Sequence, residues 1–517
     1  MSLIAKFASV GSATMASRVL GFAREAMIAG LLGTGPVADA FYAAFRFPNL
    51  FRRLFAEGAF NAAFIPLFSS ELENGGRAKA KIFAEKILSV FLPVLLTLSA
   101  LAMIFMPFLV STVVAPKFTV DPEKFELTVL LAQIMFPYLA AMSLVAMLSG
   151  ILNAFRHYFL AAIAPVLLNI VLIGVLITGW YEGWSQRDIG IYLAWGVFFA
   201  GLLQLGLLIY GVRKQGFGLS LRWPSASPAV KRLLVLAIPT AIAGGITQIN
   251  LLVGQIIASA QAGAITIINL ADRLVQLPLG IIAISIGVVL LPELTRALTA
   301  QNHHEASHLQ NRSLEFGLGL TVPAAVGLFV IPLPIVALVY ERGVFLREDS
   351  ELAAQVLAAF AIGLPSFVLI KIFQPSFYAR EDMRTPMWFS GINAVVNIAL
   401  SLTLFPVYGV VGLAVATSIA GWLNVVLLWL ALHIGDHFRV SRKTLFNVLL
   451  ICLASAAMGA ALLIGQNWMG EVLVDGFLME RIVWVGGLIG GAAVLYFGLI
   501  IATGAVPREL LVKMVCR

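Results

Sequence analysis

The sequence predicts an all-α integral membrane protein with fourteen transmembrane helices: two six-helix lobes related by a pseudo-two-fold axis along the membrane normal, plus two extra C-terminal helices. Three observations carry this. The 517 residues are 60% hydrophobic and only 12% charged, with mean hydropathy +0.97, whereas soluble domains carry about 25% charged residues. Apolar runs of roughly 20 residues or more, enough to cross a bilayer, recur along the whole chain. The first half of the chain is also echoed in the second.

The apolar runs fall near residues 5–32, 38–68, 86–114, 126–152, 159–179, 189–212, 232–260, 265–295, 314–340, 351–376, 386–405, 409–433, 444–465 and 482–503. The echo has an offset near 228. Pro137 matches Pro365, Asn169 matches Asn397 and Arg156 matches Arg384, while Phe118 matches Phe345 at 227. AGLLQLGLL at 200–208 resembles AGWLNVVLL at 420–428. Spans 1–6 thus pair with spans 7–12. An even number of spans per half gives both halves the same orientation, an arrangement typical of transporters, with the substrate site expected between the halves near the midplane. The expected domains are 1–225, 226–437 and 438–517, the last holding spans 13 and 14 and a tail.

Lysine and arginine set the orientation. With a cytoplasmic N-terminus, 21 of the 34 fall in cytoplasmic segments, 6 in outer loops (Lys117, Lys124, Arg187, Arg342, Arg347 and Arg481) and 7 inside spans, so both termini are expected in the cytoplasm. The formal net charge of +8 therefore reflects inner loops rather than a nucleic-acid partner. No short apolar leader with a cleavage site opens the chain. Two cysteines, Cys452 and Cys516, make no disulfide framework. His304 and His308 stand four apart but read as a solvated loop, so no metal site is expected.

The stretch DAFYAAFRFPNLFRRLFAEGAFNAAFIP, residues 39–66, is the most informative one. It has the length of one span yet carries Asp39, Arg46, Arg52, Arg53 and Glu57. Ionisable groups at membrane depth are costly and face a bundle interior or an aqueous cavity. Asp39, Arg46 and Arg53 recur every seven residues, close to one helix face, with Pro48 able to kink the register. The alternative is a helix lying on the bilayer surface. Span 1 adds Arg18, Arg24 and Glu25, and span 8 adds Asp272 and Arg273. Counted from the loop holding Gly33, Gly35 and Pro36, Arg24 and Arg46 share a depth of about 12 Å, and Arg18 and Arg52 lie near the midplane. Lys371 sits near the inner end of span 10.

Six arginines (18, 24, 46, 52, 53 and 273) against four carboxylates (Glu25, Asp39, Glu57 and Asp272) leave excess positive charge. Arginine is suited to bidentate phosphate recognition, so an anionic ligand is expected, with the carboxylates as gating or ion-pair partners. Ion pairs that lock the bundle are the other reading, and both can hold. A drug or cation exporter would want an acidic cavity. A membrane enzyme would want an acid–base or metal cluster, and none of the usual catalytic motifs is found.

SRVLGFARE at 17–25, residues 38–66, LNAFRHYFLAAIAPVLLN at 152–169 and ADRLVQLPLG at 271–280 resemble the MurJ/MviN family of bacterial lipid II flippases, within the multidrug/oligosaccharidyl-lipid/polysaccharide exporter superfamily. The resemblance covers essentially the whole chain. It implies an inner-membrane transporter, not an enzyme. Its substrate would be lipid II, the undecaprenyl-diphosphate-linked disaccharide-pentapeptide, moved from the inner to the outer leaflet by alternating access. Other polyprenyl-diphosphate glycans are the alternative substrates. Matching family residues are Arg18, Arg24, Asp39, Arg52, Arg53, Glu57 and Arg273. The family implies that Arg18, Arg24 and Arg273 hold the diphosphate and that a groove along spans 13 and 14 takes the polyprenyl tail. Membrane lipid and the peptidoglycan-synthesis machinery are the implied partners. No cofactor is implied. Some family members have a sodium site with a carboxylate in span 7, but here that span offers Gln248, Asn250 and Gln255 only. Membrane potential is the alternative energy source.

Overall fold

The computed structural model describes residues 3–53, 60–225 and 227–504, and contains no strand among them. The helices in order are α1 (Leu3–Leu32), α2 (Pro36–Phe51), α3 (Asn61–Ile104), α4 (Met106–Leu109), α5 (Pro122–Met135), α6 (Tyr138–Ala154), α7 (Phe159–Tyr181), α8 (Gln186–Lys214) and α9 (Pro228–Ala258). Then follow α10 (Ala264–Thr299), α11 (His303–Val330), α12 (Pro332–Tyr340), α13 (Arg347–Tyr378), α14 (Arg384–Ile434), α15 (Arg442–Met469), α16 (Val472–Asp475) and α17 (Leu478–Thr503).

Nine helical segments among the described residues are long and apolar enough to cross a membrane. The number is below the fourteen expected runs partly because α3 and α14 each join two of those runs. Each is kinked at a glycine with positive φ, Gly76 (φ +68°) and Gly409 (φ +56°), a conformation that glycine adopts without steric cost. Helix starts follow local chemistry. Proline opens α2, α5 and α9, where its missing N–H costs nothing. Asp121, Ser185, Asn302 and Ser441 each accept a backbone N–H from the first turn that follows. Pro48 lies inside α2, and the chain continues in a π-helical turn at Arg52–Arg53, so the seven-residue stripe does not run along one regular helix.

Contacts divide the chain into residues 1–266 and 267–517. Contact density places α9 in the first unit, where it packs on α3; the repeat, a different criterion, puts the boundary at 225/226. In the first unit α1 lies along α7, α2 along α5, and α6 against α8. Phe60, Phe64, Phe68 and Phe83 form a stacked series, and Phe155 and Phe217 close it edge-on. In the second unit α13 pairs with α14 and α11, and α15 with α11 and α17. Small residues allow the α13–α14 approach: a Cβ on Gly363 would lie 2.5 Å from Ser418 Oγ, and one on Gly421 would lie 2.5 Å from Ser366 Oγ.

Each unit contains the same small devices. Buried Phe118 donates its backbone N–H to Ala115, and buried Phe345 donates to Arg342. Glu85, 1% exposed, accepts from the backbone N–H of Ser220 (3.0 Å) and from Arg222 (2.7 Å), pinning the segment after α8. Asn311 accepts from the backbone N–H of Ser441 (3.0 Å), pinning the segment after α14. Arg156 (φ +62°) ends the turn after α6, and its geometric counterpart after α13 is Glu381 (φ +62°). Arg384, its match by sequence offset, instead opens α14.

Candidate functional site

Two buried charge clusters stand in the first unit. The first joins α1, α2 and α7. Arg24, 5% exposed, donates from Nη1 to Asn169 Oδ1 at 2.8 Å, and its Nη2 is paired with Glu25 Oε1. Tyr42 donates its hydroxyl to Glu25 Oε2 at 2.5 Å. Asn169 in turn donates to the Ser17 carbonyl at 2.9 Å, so its amide is held in one orientation and its oxygen faces the guanidinium. Arg24 Nε is buried without a protein acceptor. The guanidinium is therefore neutralised on one edge by Glu25, oriented by Asn169, and left with one donor to spare.

The second cluster lies where three helices begin. Asp39, in the first turn of α2, is fully buried. Its carboxylate accepts from Lys124 Nζ (2.8 Å), from the backbone N–H groups of Gly263 (2.8 Å) and Thr266 (3.1 Å), and from the Thr266 hydroxyl (2.8 Å). Lys124 lies in the first turn of α5 and Thr266 in the first turn of α10. The positive ends of these helices thus meet one carboxylate. Below it, Gln255 of α9 donates to the Val114 carbonyl at 2.9 Å and the Ala43 carbonyl at 3.4 Å.

The remaining site residues expected from sequence are placed as follows. Arg18, Arg46 and Arg52 are half-buried and Arg53 is exposed. Arg52 Nε donates to Asn49 at 3.1 Å, and Arg46 and Arg53 also have partners. Asp272 and Arg273 are half-buried in the second unit, with Asp272 hydrogen-bonded to Gln276. Glu57 lies outside the described residues. Glu25 and Asp39 both stand in buried ion pairs. Lys371 is exposed.

Sequence reasoning assigned Lys124 to an outer loop, and the structure corrects this: it is 8% exposed and bonded to Asp39, 85 residues away. A signal existed. A lysine in the first turn of a helix opposes the helix dipole and so calls for an anionic partner. Tyr42, Asn169 and Thr266 were also missed as members of these clusters. Asn169 stands out in the sequence as a repeat marker rather than as a partner of Arg24, and no local pattern ties Tyr42 or Thr266 to a carboxylate.

A second-unit groove completes the candidate surfaces. A cavity of about 400 Å³, almost wholly apolar, is lined by residues that include Leu277, Pro323, Leu328, Met458, Ile489 and Tyr496. The Tyr496 hydroxyl donates to the Gly319 carbonyl at 2.6 Å, tying α17 to α11.

Many long apolar helices, two buried ion pairs and an apolar groove mark a multi-pass membrane protein. A multidrug-resistance MATE transporter of the MOP superfamily, in an inward-facing conformation, shares the fold: TM-score 0.67 over 83% of this chain and 98% of that one, at 15% identity. Closer is a solved structure described as lipid II flippase MurJ in an inward closed conformation, with TM-score 0.79 and 25% identity over 98% of this chain and 99% of that chain. The family model described as lipid II flippase MurJ matches residues 28–483. A probable lipid II flippase MurJ of Rhizobium meliloti (strain 1021) is 49% identical, covering 100% of this chain and 97% of its own length. One of Rickettsia prowazekii (strain Madrid E) is 36% identical, covering 94% of each. The chain belongs to the lipid II flippase MurJ family.

Proposed function

We propose that this chain carries lipid II from the inner to the outer leaflet of the bacterial inner membrane by alternating access of two six-helix lobes within a fourteen-span bundle, both termini cytoplasmic. The observation that carries the reading is the Arg24 cluster. Its guanidinium is charged, buried and held in one orientation, yet its counter-ion is a single neighbouring carboxylate. A diphosphate offers more charge and more acceptor oxygens than Glu25 and can take over Arg24, with Nε as a further donor. Arg18, Arg46, Arg52, Arg53 and Arg273 supply the rest of the anion site in this reading. Glu25, Asp39 and Asp272 act as exchangeable partners or gates. The apolar groove beside Tyr496 suits a polyprenyl tail. Peptidoglycan synthases are the partners this activity feeds, and membrane potential supplies the driving force, at about 2.3 kcal/mol per charge per 100 mV.

The test is to deplete the protein in its own cell and measure lipid II at the outer face. Loss of outward lipid II with inner accumulation, restored by the wild-type chain and not by Arg273→Ala, supports the reading. Unchanged lipid II with loss of another surface glycan moves the substrate to a different polyprenyl diphosphate.

A further inference from the structure

We propose that Lys124 is the counter-charge that allows the outer ends of α2, α5 and α10 to shut: Asp39 can give up water to bind the first turn of α10 because Lys124 neutralises it there. The inference rests on the transport reading above, since it concerns the step that closes an aqueous opening.

Asp39 has two kinds of partner. Gly263 and Thr266 belong to the turn and helix that lead the chain out of the first contact unit. Lys124 lies on α5, the helix packed along α2, so it travels with Asp39. When α10 departs, its N–H groups and the carboxylate all meet water, and the neutral hydrogen bonds are exchanged at small net cost. The charge is different. A carboxylate passing from water to a site with no exposure meets a large desolvation penalty, and neutral donors leave its charge in place. Lys124 removes it, with Nζ at 2.8 Å from Asp39 and 3.9 Å from the centre of the Phe118 ring. The lysine needs Asp39 equally, because the α5 dipole opposes an ammonium at that position and only 8% of the residue reaches solvent. The closed state requires both charges or neither. Asp39 alone in an open, wet state requires no lysine.

A lysine that merely stapled α2 to α5 would act equally in open and closed states. Accessibility separates the two roles. Ala43, fully buried one turn beyond Asp39 on α2, is replaced by cysteine in a chain carrying Cys452→Ser and Cys516→Ser. A membrane-impermeant thiol reagent is then applied from outside to cells with matched amounts of membrane-inserted protein. Lys124→Met is expected to speed labelling ~10-fold or more, since loss of one member of a buried pair can move a two-state balance by ~100-fold or more. Lys124→Arg is expected to label like the wild type. Asp39→Asn with Lys124→Met, a neutral pair, is expected to return towards the wild-type rate. Unchanged labelling in Lys124→Met, or a double variant labelled as fast as the single one, overturns the proposal. Should Lys124→Met fail to insert, Asp39→Asn alone serves, with fast labelling expected and slow labelling refuting. Labelling does not depend on which lipid is carried, so its outcome is distinct from that of the lipid II assay.

Discussion

Replacing Arg24 by lysine separates charge from geometry. Arginine reaches Asn169 through Nη1 and Glu25 through Nη2 at once. Lysine keeps the charge but has a single nitrogen, without the planar fork. The pair with Glu25 can be rebuilt; the bond to Asn169 is then lost, and Asn169 Oδ1 is stranded in a buried site. A hydrogen bond involving a charged group contributes about 1.5–3 kcal/mol, which is roughly a 10- to 150-fold effect at 1.36 kcal/mol per decade. The assay is outward lipid II in cells depleted of the native protein and supplied with the variant, normalised to membrane content. The expected result is at least a ~10-fold fall at the lower bound of that range. Wild-type flipping by Arg24→Lys would refute the oriented-guanidinium argument and leave a simple charge role. Alanine is a poorer probe here. It would strand Glu25, 1% exposed, and removing one member of a buried pair costs about 3–5 kcal/mol. The fold would suffer along with the site, and Arg24→Ala should be read beside the Arg24→Ala/Glu25→Gln double variant.

Tyr42→Phe removes the hydroxyl that holds Glu25 Oε2; flipping is expected to fall by a factor of roughly 10 with unchanged membrane content, as measured by the same lipid II assay. Gly363→Val drives a branched side chain into Ser418, whose Cα already lies 3.0 Å from the site of a Cβ. Overpacking of this kind costs about 1–3 kcal/mol, so a lower melting temperature in detergent is expected, with Gly363→Ala milder. Asp382, in the turn between α13 and α14, has its carboxyl held below the usual range by the Thr385 hydroxyl and by the backbone N–H groups of Thr385 and Arg384. A depressed carboxyl stabilises above its unfolded pKa and loses that contribution as pH falls through the folded value. Stability of the purified protein should therefore decline below about pH 4, and Asp382→Asn should flatten that part of the profile.

Much of this protein could be read along the chain because the bilayer imposes a local rule. Each span must be long, apolar and internally hydrogen-bonded, so helical content and membrane placement follow from composition and run length. Arg24 and Glu25 stand out along the chain as charges in an apolar run; that they pair with each other is seen only in the structure, since adjacent residues on a helix do not face one another. The π-helical turn at Arg52 and Arg53 was not legible, since Pro48 signals a disturbance but not its form, and it broke the even seven-residue stripe.

Composition and run length set the class of protein, its helical content and the presence of costly buried charge. Which charge answers which follows from packing alone. Lys124 looked like an outer-loop lysine, Asn169 like a repeat marker, and Thr266 like an unremarkable helix residue. Folding brings Lys124 and Thr266 to Asp39 across 85 and 227 residues, and Asn169 to Arg24 across 145. Hydropathy is a property of neighbours along the chain. The partner of a buried charge is a property of neighbours in space, set by which helix ends the packing brings together.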